Sequence, residues 1–162
     1  MEAIYRLSGD ATHMQNMKAR FDNDSSQMDL TDPENFYYDI NSVAGLVKQF
    51  FRDLPDPLFT SQYYSQFLDA ARLDDDIQRR DQLHALINDL PDAHYATLRA
   101  TIFHFNKVQE HSSQNRMNAG NLAICFGSTL MGMDGSNIAD AGWQVRVIES
   151  VIVNTLQIFL ED

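Results

Sequence analysis

Apolar residues recur at steps of three and four along most of the chain and strict alternation is scarce, a pattern that predicts helices and hardly any strand. Ile40, Val43, Val47, Phe50 and Leu54 form one such run, with Asp39 placed to cap it and Pro55 and Pro57 placed to end it. Thr60 or Ser61 then caps a segment whose inward positions are Tyr64, Phe67, Leu68 and Ala71. Asp74, Asp75 and Asp76 favour the start of the next helix through its dipole, and Ile77, Leu83, Leu86, Ile87 and Leu90 supply its apolar face. Pro91-Asp92 separates that helix from a long one with Tyr95, Leu98, Ile102, Phe105 and Val108 in register. Asn118 begins a shorter helix through Leu122 and Phe126, and one last helix, Trp143 to Leu160, turns Val147, Ile148, Val151, Ile152, Leu156 and Phe159 inward. Two stretches lack the pattern and read as loops: Asn23 to Asn35 and Met133 to Gly142. The expected architecture is all-α, a single-domain bundle of six or seven helices.

Composition narrows the function classes. The chain has 162 residues, 44% hydrophobic, with 23 acids against 12 Lys and Arg. That length suits one domain, and the apolar share is too high for a disordered chain. No apolar run approaches the roughly 18–20 residues of a membrane span, and the polar start has no secretory h-region. The single cysteine, Cys125, excludes an internal disulfide and a Cys-based zinc cluster. A net charge of -11 argues against a general nucleic-acid binder, which needs a basic face. The excess acid is spread along both halves, so no charged tail sets one end apart. These features predict a cytoplasmic domain without an intrinsic membrane segment.

Self-sufficient chemistry is not visible. The sequence has no GxxxxGK[ST], no GxGxxG after a strand and no HExxH. The acid triplet at Asp74–Asp76 lacks the glycine and distal glutamate of a calcium loop. His104 and His111 lie seven apart with no completing ligand, so no metal site is expected. Cys125, within Ala123-Ile124-Cys125-Phe126, reads as a small buried hydrophobe.

Two groups of cations stand out against the acidic background. Lys48 and Arg52 are four apart on the outward face of the Asp39–Leu54 helix, in one stripe with Asn41 and Gly45. Like charges at that spacing cost about 0.2–0.5 kcal/mol. Either they face something anionic or a carbonyl-rich loop, or each takes its own acid, such as Asp53 or Asp56. Arg6 lies between apolar neighbours just before Ser8-Gly9, a turn signal, in a loop leading to the next helix. Taken alone it reads as half of a surface salt bridge.

Together, Glu2-Ala3-Ile4-Tyr5-Arg6-Leu7-Ser8-Gly9, the block from Ala44 to Leu58 containing Lys48-Gln49-Phe50-Phe51-Arg52-Asp53-Leu54-Pro55, and Asn121-Leu122-Ala123-Ile124-Cys125-Phe126-Gly127-Ser128-Thr129-Leu130 resemble the three signature blocks of the Rho-type GTPase-activating (RhoGAP) domain. The resemblance implies a helical domain, not an enzyme in its own right, that binds a GTP-loaded Rho/Rac/Cdc42-type GTPase and accelerates hydrolysis. Arg6 matches the arginine finger, Lys48 and Arg52 a basic pair that supports the finger loop and the GTPase-binding surface, and Asn121 an asparagine that contacts the GTPase. No cofactor of its own is implied, because GTP and Mg²⁺ are held by the partner. The alternative is a non-catalytic helical module that binds GTPases or other proteins. Ala3 stands where the family commonly has Gly, and Ser128 where Pro is usual. Gly9 and Ser8 are expected to let the finger loop turn away from the helix that follows. The family domain normally begins one or two helices before the finger. The expectation for residues 1–162 is therefore a RhoGAP-like domain truncated at its N-terminus, with self-association favoured if apolar surface is exposed there.

Overall fold

Helices α7 (Ala119–Met131) and α8 (Ala141–Val153) pack along each other at the centre of the computed structural model, which describes residues 2–132 and 138–160. Both carry what a central helix needs: Leu122, Ala123, Phe126 and Leu130 on one, Val147, Ile148, Val151 and Ile152 on the other, all fully buried. Helices α3 (Tyr64–Ala71), α4 (Asp76–Asn88) and α5 (Asp92–Glu110) pack on α8, α2 (Ile40–Arg52) packs on α7, and α1 (Ala11–Asp24) packs on α2. The short α6 (Ser112–Asn115) joins α5 to α7, and α9 (Thr155–Phe159) returns against α4 and α5. A satellite cluster of Met17, Met28 and Phe36 lies beneath the chain between α1 and α2.

The all-α expectation holds: the described residues contain nine α-helices, three 3₁₀ turns and no strand. The count exceeds six or seven for two local reasons. α6 is a single turn, too short to show periodicity. The closing helix breaks at Asn154, whose Nδ2 donates to the Ser150 carbonyl at 2.8 Å and competes with the helical ladder. The break resets the register, so Ile158 and Phe159 are buried while Leu156 is half exposed.

Other expectations need correction at single positions. Phe50 is 57% exposed, and its neighbour Phe51 is buried instead, because α2 is covered by α1 on one side and α7 on another. Ile77 is exposed in the first turn of α4. The cap of α3 is Tyr63, without a side-chain hydrogen bond, while Thr60 sits at a φ of 66° and its hydroxyl reaches the Tyr63 amide at 3.4 Å. The stretch from Asn23 to Asn35 is largely exposed, yet it holds the end of α1 and two 3₁₀ turns. Of Met133 to Gly142, residues 133–137 lie outside the described residues, and Ala141 and Gly142 already belong to α8.

Gly9 does not supply the turning freedom its place suggests. A Cβ there would lie 2.4 Å from the Ser42 Cα, so the residue is small because α1 enters directly against the start of α2. Asp39 clamps the same junction. Its carboxylate caps α2 through the Ser42 amide, takes the Ser42 hydroxyl, and is reached by the Asp10 amide at 3.3 Å and by His13 Nδ1 at 3.2 Å. The Ser42 hydroxyl above all, and then His13, hold its pKa down at about 2. Because the folded value lies below that of a free aspartate, about 3.9, the stabilisation is complete above that range and is lost as pH falls through about 2. Asp39→Ala should cost about 1–2 kcal/mol at neutral pH. In urea titrations at stepped pH, the gap between parent and variant should stay constant down to about pH 5 and close under stronger acid; a gap that widens in acid refutes the clamp.

Candidate functional site

Residues 3–7 form a tight turn whose backbone is held from several sides. The Arg6 and Leu7 amides both donate to the Ala3 carbonyl, at 3.0 and 3.3 Å, and the Ala3 amide donates to the Asn115 carbonyl at 2.8 Å, tying the turn to the end of α6. Two non-glycine residues adopt left-handed backbone here, Ala3 at φ 59° and Tyr5 at φ 72°. Such conformations cost roughly 1–2 kcal/mol each for a residue with a Cβ. The first accounts physically for the glycine usual at position 3.

Adjacent residues of this turn point opposite ways. Tyr5 is buried, its ring edge-on to Phe126 of α7 at 4.9 Å and to Phe105 of α5 at 6.1 Å, with its hydroxyl 2.6 Å from His104 Nε2. Arg6 is exposed, and among the described residues it forms no ion pair. The surface salt bridge that a lone arginine suggests is not formed there.

Lys48 comes from α2 to the same turn. Its Nζ donates to the Tyr5 carbonyl at 3.3 Å and lies 5.8 Å from the centre of the Phe126 ring. The acids that might have neutralised the α2 cations are engaged otherwise: Asp53 accepts from Gln49, and Asp56 from Ser61 with His94 at 3.9 Å. Of the two readings left open for Lys48, contact with a carbonyl in a loop is the one realised. Arg52 lies one turn farther along α2, exposed, beside a shallow pocket of about 280 Å³ that Ser128 and Thr129 of α7 also line. A larger groove of about 570 Å³, lined by Phe21, Val43, Leu46 and Phe50, runs between α1 and α2 and includes none of Arg6, Lys48, Arg52 or Asn121.

Asn121 is in the first turn of α7. Its amide is capped by Asn118, and its Nδ2 donates to the Arg116 carbonyl at 3.0 Å, which braces the α6–α7 corner next to the Asn115 carbonyl that holds Ala3. It makes no direct contact with the cations; what links it to them is its helix face. Asn121, Ile124, Cys125 and Ser128 share one stripe of α7, with Ile124 69% exposed.

Cys125 is half-buried, not enclosed as expected. Burial pushes its thiol pKa above the ordinary value, while the positive charges of Lys48 and Arg6 pull it partway back, which places all three within electrostatic reach. Sequence reasoning reads Cys125 only as a buried hydrophobe and does not single out the exposure of Ile124 or the Tyr5–His104 pair. Ile124 could have been found by projecting α7 as a helix; the pair, 99 positions apart, carried no local signal. Among the described residues no cluster of His, Cys, Asp and Glu could hold a metal ion, and no helix is long and apolar enough to cross a membrane.

A family model for the RhoGAP domain matches residues 1–134. β-Chimaerin of Mus musculus is 42% identical over 130 residues, 80% of this chain and 39% of its own length. Probable Rho-GTPase-activating protein 7 of Schizosaccharomyces pombe is 35% identical over 159 residues, 98% of this chain and 22% of its own length. This chain therefore spans well under half of either relative. The crystal structure of the BH domain from Graf, the GTPase regulator associated with focal adhesion kinase, matches with a TM-score of 0.88 at 28% identity, covering 98% of this chain and 84% of that one. Human Rho GTPase activating protein 15 matches with 0.89 at 29% identity, covering 98% and 75%.

The electrostatic grouping is open to a chemical test. Cys125 should react with iodoacetamide at pH 8 more slowly than free cysteine, since burial raises its pKa. Lys48→Met should slow the reaction further by removing a charge that favours the thiolate. An equal or faster rate in Lys48→Met contradicts the placement of the ammonium.

Proposed function

The chain belongs to the RhoGAP domain family, and from that premise we propose that it binds the GTP-loaded form of a Rho/Rac/Cdc42-type small GTPase and accelerates hydrolysis with Arg6 as an arginine finger. The observation that carries this reading is the Lys48 bond to the Tyr5 carbonyl. A basic side chain of α2 fixes the backbone immediately before an exposed arginine that has no ion-pair partner among the described residues.

The chemistry suits a domain with no nucleotide loop of its own. The partner GTPase holds GTP, Mg²⁺ and the residue that orients water, and it lacks a cation where charge develops on the transferring phosphoryl group. A guanidinium fills that role because it is always ionised and presents several N–H donors in a rigid plane. An arginine finger is worth about 10³–10⁵ in rate, which corresponds to roughly 4–7 kcal/mol of transition-state stabilisation. In this reading Lys48 braces the finger turn, and Arg52, Asn121 and Ile124 form the surface beside it that meets the GTPase. The net charge of -11 does not oppose such docking, because the local patch and not the total decides complementarity.

Single-turnover GTP hydrolysis by Rho, Rac and Cdc42-type GTPases, with and without this chain, tests the proposal. Arg6→Ala should lose about 10³-fold or more of the stimulation, and Arg6→Lys should stay far below the parent because the planar fork is gone. Lys48→Ala and Asn121→Ala should chiefly weaken binding. Arg6→Ala stimulating as well as the parent overturns the finger. Binding without stimulation by the parent leaves the domain a non-catalytic GTPase-binding module.

A further inference from the structure

We infer that Tyr5 and His104 form a positioning pair for Arg6: the hydrogen bond between the Tyr5 hydroxyl and His104 Nε2 sets how deep the Tyr5 ring seats, and thereby where the next residue presents its guanidinium. The inference rests on the reading of Arg6 as the finger and adds to it two residues from outside the basic surface.

The geometry is specific. The Tyr5 ring lies edge-on against Phe105 and Phe126, which pack on each other at 4.5 Å, and the apolar part of such burial is non-directional and tolerant of small slides. The 2.6 Å contact at its far end is not, because a hydrogen bond weakens steeply with distance and angle. At the near end the Tyr5 carbonyl is held by Lys48. The residue is thus gripped at both ends, by α5 and α2, while its backbone sits at φ 72°, a conformation that relaxes unless something holds it. A shift of the hydroxyl end therefore reaches the Arg6 Cα directly, across one peptide bond.

The pair also keeps its hydrogen across the neutral range. Burial pushes the Tyr5 phenol up to about 12, so it stays protonated. His104 is an exposed residue of α5 whose ring is partly desolvated, and this, with Lys107 one turn away, lowers its pKa and favours the neutral ring. Whichever of the two atoms donates, one O–H or N–H lies between them. His104 is on α5 beside a hollow of about 380 Å³ formed with Ile4, Lys107 and His111. Beside Tyr5 its ring meets Phe105, with centroids 6.0 Å apart, and its hydrogen bond goes to the Tyr5 hydroxyl.

The test uses Tyr5→Phe, which keeps the ring and deletes the hydroxyl, together with His104→Leu, His104→Gln and the double variant Tyr5→Phe/His104→Leu. In GTP hydrolysis stimulated by the whole chain, Tyr5→Phe and His104→Leu should each lower kcat about 10-fold or more while half-saturation with the GTPase changes less than about 3-fold, since a finger misplaced by a fraction of an ångström loses rate before it loses binding. The double variant should be no worse than either single, the signature of one shared interaction. His104→Gln, which can still hydrogen-bond the phenol, should recover part of the rate. A second readout needs no GTPase: trypsin cleavage after Arg6, followed by mass spectrometry, should accelerate in Tyr5→Phe and in His104→Leu while the melting temperature barely moves. An unchanged kcat in Tyr5→Phe, or a cleavage rate after Arg6 equal to the parent's, overturns the inference. A parent chain that stimulates no GTPase overturns the finger reading instead, and the cleavage rates then decide alone whether the pair holds the turn.

Discussion

The Lys48 ammonium bonded to the Tyr5 carbonyl joins the turn of residues 3–7 to α2. An ammonium facing a lone carbonyl is a modest contact when exposed, but here it is half-buried, lies near the face of Phe126, and has no acid competing for it among the described residues. It fixes the orientation of a backbone that strain would otherwise relax, with Ala3 and Tyr5 both in left-handed conformation. The central packing of α7 on α8 serves this contact, since it sets Phe126 under the lysine and Asn121 at the corner that holds Ala3. The fold is a frame whose precision is spent on a few residues at its edge.

How far the sequence reveals this differs by level. Helix starts at Asp39 and Asn118 were legible because capping is a local property, and within the Asp74–Asp76 triplet, read only as favouring a start, it is Asp75 that accepts the amide. The inward faces of α5 and α7 were legible through periodicity. Phe50 and Ile77 were misplaced because periodicity marks a possible inner face and does not say which neighbour covers it. The break at Asn154 was hidden because asparagine is tolerated within helices until its side chain finds a carbonyl. Of the site, the cations stood out by type and spacing, and the resemblance grouped them. Their actual company, a carbonyl for Lys48 and a corner for Asn121, depends on contacts between distant segments that no local pattern encodes.

Charge and position are separable in this domain. The acids are used locally, as caps and clamps such as Asp10, Asp39 and Asp75, where they satisfy amides at helix starts. Arg6, Lys48 and Arg52 form no ion pair among the described residues, whereas Arg116 at the neighbouring corner pairs with Glu2. An overall negative molecule can thus carry a small positive surface without paradox, because local placement and not the total sets the potential there.

Two of the contacts that hold the turn carrying Arg6 come from far later in the chain. Tyr5 must await His104, 99 positions later, and Lys48 must find it across 43. During synthesis, at about 5–20 residues per second, the arginine leaves the ribosome several seconds before the helices that orient it. A partial chain would display the charge with no defined geometry. Because contacts this distant pay their closure entropy late in folding, the frame must assemble before the tip takes its place. In a growing chain the geometry of this turn is therefore undefined until α5 and α7 have emerged.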